Sequence, residues 1–326
     1  MPISPSLKLL SIYFMASFLC ACAGMAPHID VPQTMPKSLQ LTKQPRVALV
    51  LGAGGARGFA HAGAVKVLQN AGIPIDLIVG TSVGSFYGAL LADSGDANIA
   101  GQIMLSASFW NVADIANVPN LSGLMQGYHY QKFLLHHMQA RWFNQLKIPL
   151  VVVAADLKTG KAFVISSGPI APAAEASSAI PGAVRPAYLY GHILADGGML
   201  DPIPVDVAKR YNPKIIIAIN ITQQLSSYVP YTAVGVYDRA YDISWRQLTH
   251  LSASGADIII RPQVGAIGTF EVEKKYKLFY EGEIAAYNAL PAIKKILREK
   301  HIKLLKPAPQ EAAHHTHHTS HAAHTG

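Results

Sequence analysis

Cysteine is nearly missing from this chain. The two present, Cys20 and Cys22, stand too close together to staple a fold, so the globular body has no disulfide framework. Charge is scarce as well. Only 14% of residues are charged and 50% are hydrophobic, which excludes extensive disorder outside the ends and calls for a well-filled core. Lys and Arg (27) outnumber Asp and Glu (19), giving a formal net charge of +8. The basic residues are scattered, which leaves no nucleic-acid footprint, whereas a basic surface suits an anionic membrane. Internal repeats are also lacking, and 326 residues suffice for one large or two small domains.

The N-terminus reads as an address. Lys8 precedes an apolar stretch from Leu9 to Ala23, fifteen residues against the ~20 that a spanning helix needs. It ends in Ala21-Cys22-Ala23-Gly24, which fits a secretory signal over residues 1–22. Two cleavage readings compete. Ala21-Cys22-Ala23 is a small-x-small peptidase site, and Leu19-Cys20-Ala21-Cys22 resembles a bacterial lipoprotein box, with Cys22 as the lipidated first residue. The lipoprotein reading places the protein in the cell envelope, anchored to the outer membrane and facing the periplasm, with secretion as the alternative. Residues 23–45 carry four prolines and no periodicity, as a flexible linker does.

The chemistry is concentrated in two glycine-rich turns. Arg46 to Leu51 reads as a buried strand, Gly52-Ala53-Gly54-Gly55-Ala56-Arg57-Gly58 follows it directly, and Phe59 to Ala71 has helical spacing with Gly72 closing it. A dinucleotide site would need Gly-x-Gly-x-x-Gly, but counting from Gly52 the last position is Arg57, and no acidic residue ends the second strand. Bare glycine N–H groups suit an oxyanion instead. The second turn, Gly80-Thr81-Ser82-Val83-Gly84, lies between the apolar run Ile78-Val79 and a small-residue helix ending at Gly95. That is the context of a nucleophile elbow, in which the serine hydroxyl projects from a sharp strand-to-helix turn. Its positive helix end favours an alkoxide.

Gly54-Gly55-Ala56-Arg57-Gly58 with His61, then Gly80-Thr81-Ser82-Val83-Gly84, then Asp196-Gly197-Gly198 resemble the patatin-like phospholipases in order and spacing. The resemblance extends over residues 46–298. It includes Asp156…Thr159-Gly160-Lys161, Ala176-Ser-Ser-Ala-Ile-Pro181-Gly182 and Asp257-Ile-Ile-Ile-Arg261-Pro262; Ala53 stands where bacterial relatives often carry glycine. It implies a lipid acyl hydrolase with a Ser–Asp dyad, in which Ser82 attacks, Asp196 takes its proton, and Gly54, Gly55 and Arg57 form the oxyanion hole. No cofactor is implied, and membrane lipids are the substrate. The residues agree: Asp196 follows Ile193-Leu-Ala195 at an expected strand end, and burial there would raise its pKa toward that of a usable base. A rival Ser-Asp-His order nominates His250 or His301, while His61 and His192 read as packing or hydrogen-bonding residues.

Further along, Leu150–Ala154 and Ala162–Ile165 read as strands, as do Lys214–Ile221 and Asp257–Ile260. Residues 97–147 are helix-prone and aromatic, and a second aromatic cluster runs from Tyr228 to Trp245; both suit an acyl pocket or a membrane-facing rim. Two helices are expected to divide near Pro291. Buried strands alternating with helices give a three-layer α/β/α fold with a mostly parallel sheet, over a domain of residues 46–300. The tail, residues 301–326, holds six of the fourteen histidines between His314 and His324. Of these, His314, His315, His317 and His318 are candidate ligands for a transition metal. Two other function classes follow: a non-catalytic envelope lipoprotein that keeps the fold as a scaffold, and a metal-handling protein working through this tail.

Overall fold

The computed structural model describes residues 33–120 and 123–306. Cys20, Cys22 and the His314–His324 run lie outside these residues. In chain order the elements are β1 (Val47–Leu51), α1 (Phe59–Asn70), β2 (Leu77–Thr81), α2 (Val83–Ser94), α3 (Ala97–Ser106), the short α4 (Phe109–Val112), β3 (Ile115–Asn120) and β4 (Gly123–Met125). Next come α5 (Tyr128–His137), β5 (Leu150–Asp156), β6 (Lys161–Ile165), α6 (Ile170–Ser177), β7 (Ala187–Leu189) and β8 (His192–Asp196). The chain closes with α7 (Val205–Lys209), β9 (Ile215–Ile219), α8 (Ala233–Ser252), β10 (Ile258–Ile260) and α9 (Lys275–Glu299).

Eight strands form one sheet in the order β10-β9-β1-β2-β5-β8-β7, with β6 also paired to β5. From β10 to β5 the strands are parallel, while β6, β7 and β8 pair antiparallel. Successive side chains of a strand point to opposite faces, so a strand buried on both sides supplies two cores. β1 does this: Val47, Leu49 and Leu51 join one apolar cluster, and Ala48 and Val50 join the other. The first cluster lies under α1, α2, α5, α6 and α9; the second is covered by α7 and its flanks. This is the three-layer α/β/α arrangement with a largely parallel sheet.

Pairing within β5 positions the site. β6 pairs with Val152 to Asp156, overlapping the residues that pair with β2 (Leu150 to Val153) and with β8 (Ala154 to Asp156). A strand has two edges, so β2 and β8 share the edge opposite β6. Thr81 at the end of β2 pairs with Val153, and Asp196 at the end of β8 pairs with the next residue, Ala154. Two strands running in opposite directions therefore end head to head, at Ser82 and Asp196.

Two expectations need correction. The helix break at Pro291 does not occur: α9 runs unbroken from Lys275 to Glu299 with Pro291 inside it. An interior proline costs ~3 kcal/mol, whereas the buried Leu278, Ile293 and Leu297 each contribute roughly 1.5–3 kcal/mol by burial. Close packing on α1 adds to this. A Cβ at Gly63 would sit 1.9 Å from the Phe279 carbonyl oxygen, and one at Gly282 would sit 2.1 Å from that of Ala60. Secondly, the 97–147 stretch is not helical throughout, since β3 and β4 pair as an antiparallel two-stranded sheet.

The described part of the expected linker, from residue 33, lies against the body. Leu39 N–H donates to Ser166 Oγ at 3.0 Å and Ser167 Oγ donates to the Pro36 carbonyl at 2.7 Å. At the other end Ile302 is buried and Leu305 N–H donates to the Gly72 carbonyl at 2.7 Å, so the packed body extends beyond residue 300.

Candidate active site

Ser82 lies between β2 and α2 with φ 55° and ψ −126°, a conformation that non-glycine residues rarely adopt. The glycines around it are there because the backbone crosses itself. A Cβ at Gly80 would meet the Gly84 carbonyl oxygen at 2.5 Å, and one at Gly84 would meet that of Leu51 at 2.1 Å. The Ser82 N–H donates to Ser177 Oγ at 2.8 Å, and Ser177 Oγ donates to the Val153 carbonyl at 2.6 Å. Ser85 Oγ donates to the Ser82 carbonyl at 2.6 Å. These three bonds over-determine the turn and leave the hydroxyl as the free arm.

That hydroxyl donates to Asp196 Oδ2 at 2.6 Å. The other carboxylate oxygen, Oδ1, accepts the Gly198 N–H at 2.8 Å, so both oxygens are engaged. Asp196 is buried, and burial pushes its pKa up to about 6, against the lowering effect of the hydrogen bonds from Ser82 and Gly198. The paired glycines that follow are required by contact. A Cβ at Gly197 would meet the Val153 carbonyl oxygen at 2.1 Å, and one at Gly198 would meet the Trp245 ring at 2.3 Å.

Opposite Ser82 runs the loop after β1. Gly54 and Gly55 present backbone N–H groups with no acceptor among the described residues, and both glycines line the cavity that contains Ser82 and Asp196. Gly55 has φ +57°, and a Cβ there would lie 2.5 Å from Thr269, so the loop is tightly backed. Arg57 is placed differently from its two partners in the expected oxyanion hole, because its N–H donates to the Gly54 carbonyl at 3.2 Å. Its guanidinium is buried and braces the loop, donating to the carbonyls of Ile221 (3.1 Å) and Ile267 (2.7 Å) and to Gln223 Oε1 (2.8 Å). Burial pulls its pKa down to about 10, which leaves it charged at neutral pH.

Two cavities meet at Ser82. One, of about 150 Å³, is almost entirely apolar and is walled by Phe59, Phe86, Met104, Phe109, Val184 and Phe270 among others. The second, of about 390 Å³, contains Asp196 and is bounded by Tyr237, Asp238, Tyr241, Asp242 and Trp245 of α8. Gly55, Ser82, Ile180 and Thr269 line both. An apolar chain and a polar group attached to it could thus lie on either side of the serine hydroxyl.

The histidines fall elsewhere. His61 is fully buried with Nε2 2.8 Å from the Gly52 carbonyl, and burial lowers its pKa to about 4, so it is neutral and holds the glycine loop. His192 pairs with Asp156 Oδ2 at 3.0 Å and lies against Phe163. His250 is exposed on α8 and lines a different cavity, and His301 is exposed beyond α9. Among the described residues no group of three or more His, Cys, Asp or Glu could hold a metal ion, and no helix is long and apolar enough to cross a membrane. Sequence reasoning missed Ser177, Thr269 and Gln223 as supports of the site. Ser177 lies within the Ala176–Gly182 landmark, but nothing in that run singles it out as the acceptor for the Ser82 N–H.

Comparison with known proteins bears on the family and the fold. Residues 49–209 match the family model described as patatin-like phospholipase. An uncharacterized NTE family protein of Mycobacterium tuberculosis (strain ATCC 25618 / H37Rv) is 34% identical over 182 residues, 55% of this chain and 50% of that protein. Patatin-like phospholipase domain-containing protein 6 of Homo sapiens is 32% identical over 192 residues, 56% of this chain and 14% of that protein. The chain thus matches half the length, or less, of these relatives. The crystal structure of VipD from Legionella pneumophila shares the fold, with a TM-score of 0.53 at 13% identity over 84% of this chain and 72% of that one. The elbow at Ser82 and the turn at Asp196 both lie inside residues 49–209, the stretch of this chain that matches the patatin-like phospholipase family.

Proposed function

We propose that the protein is a lipid acyl hydrolase of the phospholipase A or lysophospholipase type, working through a Ser–Asp dyad and an acyl-enzyme. The observation that carries this reading is the 2.6 Å hydrogen bond from Ser82 Oγ to Asp196 Oδ2, at a strained turn where two cavities meet. Ser82 Oγ attacks the ester carbonyl carbon as its proton passes to Asp196. The carbonyl oxygen becomes an oxyanion held by the Gly54 and Gly55 N–H groups; one such donor is worth ~2.7–4 kcal/mol in the transition state. Collapse breaks the carbon–oxygen bond to the leaving alcohol, which takes the proton back from Asp196. Water then attacks the acyl-enzyme with Asp196 again as base, releasing the fatty acid. The apolar cavity receives the acyl chain and the polar one the alcohol portion.

An alkyl fluorophosphonate should label the protein once, at Ser82. The probe should fail on Ser82→Ala, and phospholipid incubated with the parent protein should yield free fatty acid. A folded Ser82→Ala protein that still takes the label would refute the assignment and favour the scaffold reading. Localisation belongs to the same proposal: the residues before Cys22 act as an export signal and acylated Cys22 anchors the protein in the outer membrane facing the periplasm. One acyl chain binds only marginally, so firm anchoring needs more than one. Fatty-acid labelling in cells should disappear with Cys22→Ser; label retained by that variant would rule this anchor out.

A further inference from the structure

A second polar cavity, of about 250 Å³, lies beside the catalytic one. The extended segment after β9 separates them: Gln223 lines the catalytic cavity, while its neighbours Thr222 and Gln224 line the other. Helix α8 is divided in the same way. Its Tyr241, Asp242 and Trp245 face the dyad, and its next turns contribute Arg246, Thr249 and His250 to the second cavity. Asn220 follows β9 and Arg261 follows β10, so the cavity stands beyond the carboxyl ends of two adjacent parallel strands.

Its chemistry has one sign. Arg246, Arg261 and His250 are joined by the amides of Asn220, Gln224 and Gln263, and no Asp or Glu is among the lining residues. The Arg246 guanidinium is held in place by donating to the Gln223 carbonyl at 2.6 Å. The Arg261 guanidinium and the His250 ring have no hydrogen bond or ion pair among the described residues.

We propose that this cavity binds a phosphate group, with Arg261 and Arg246 as its two guanidinium forks and the amides completing the shell. Planar guanidinium forks match tetrahedral oxyanions and bind them by paired, charge-assisted hydrogen bonds. The phosphate comes either from a soluble phosphate or from a lipid head group at a membrane surface. The site lies outside the dyad's cavity and does not depend on hydrolysis taking place.

The test uses the full chain carrying Ser82→Ala, so that binding is read without turnover. Inorganic phosphate should bind saturably by calorimetry, and Arg261→Gln should weaken it by at least about tenfold. Arg261→Lys should give an intermediate loss, because it keeps the charge but not the fork. Addition of phosphate should also shift the His250 ring protons, which reads the same cavity without altering Arg261. Co-sedimentation with phosphatidylcholine vesicles, with and without phosphatidic acid, separates the sources. A gain with phosphatidic acid that Arg261→Gln abolishes identifies a lipid head group; no gain, with phosphate still binding, identifies a soluble ligand. In the Ser82 background, Arg261→Gln should leave hydrolysis of a short-chain nitrophenyl ester unchanged. Absence of phosphate binding, or binding unaffected by Arg261→Gln in a protein that melts normally, would overturn the proposal.

Discussion

Asp196→Asn should make the protein more stable at neutral pH while removing the ester hydrolysis proposed for it. The carboxyl is buried, and its pKa of about 6 in the fold stands against 3.8 for an ordinary aspartate. Because the folded value is raised, its protonated form favours the fold. That contribution is fully present below about pH 3.8 and is lost as pH rises through about 6. The difference corresponds to about 3 kcal/mol at pH 8, an upper figure for the stability the ionised carboxylate removes. An asparagine has the same shape. Its Oδ1 can accept the Gly198 N–H and its Nδ2 can donate to Ser82 Oγ, so both partners of the carboxylate keep a hydrogen bond. Urea melts at pH 8 and pH 4 on Asp196→Asn and on the parent protein would measure the effect. The variant should be more stable at pH 8, by up to about 3 kcal/mol, and about equal at pH 4. Loss of a general base should meanwhile cost about 10²–10⁴ in ester hydrolysis. In the parent protein kcat/KM should rise with pH through about 6, as the base ionises. A variant less stable than the parent at pH 8, or a rate flat between pH 5 and 7, would show that this carboxylate is neither destabilised by burial nor the base.

Gly84→Ala should unfold the elbow or destabilise the protein by about 3 kcal/mol or more, because the new methyl would lie 2.1 Å from a backbone oxygen of β1; a normal melting temperature would contradict the close approach. Ser177→Ala leaves the Ser82 N–H and one bond to the Val153 carbonyl unmade. It should cost about 1–3 kcal/mol and slow fluorophosphonate labelling, both measurable on one preparation. His250→Ala should retain hydrolysis, since His250 is exposed and lines a cavity other than the dyad's. A folded but inactive His250→Ala protein would favour a triad.

Much of this molecule was legible along the chain because its signals are local. Apolar runs such as Val47–Leu51 and Ile215–Ile219 read as strands covered on both faces, and Gly80 marks a turn whose crowding, against Gly84, lies within five residues. Continuity of α9 through Pro291 was not legible, since the residues that outweigh the proline act by packing on α1, more than two hundred positions earlier in the chain.

By itself, then, the sequence determined the layered α/β class, the elbow at Ser82 and the supply of bare amides at Gly54 and Gly55. Tertiary structure alone decided that Ser82 meets Asp196, because β2 and β8 take the same edge of β5 and end there against each other. It also decided that the Arg57 N–H turns back to Gly54 while its side chain braces the loop, and that Arg246, His250 and Arg261 surround one cavity. The physical reason is common to all three: pairing register and burial depend on partners distant in the chain, and no local pattern encodes which edge a strand will occupy.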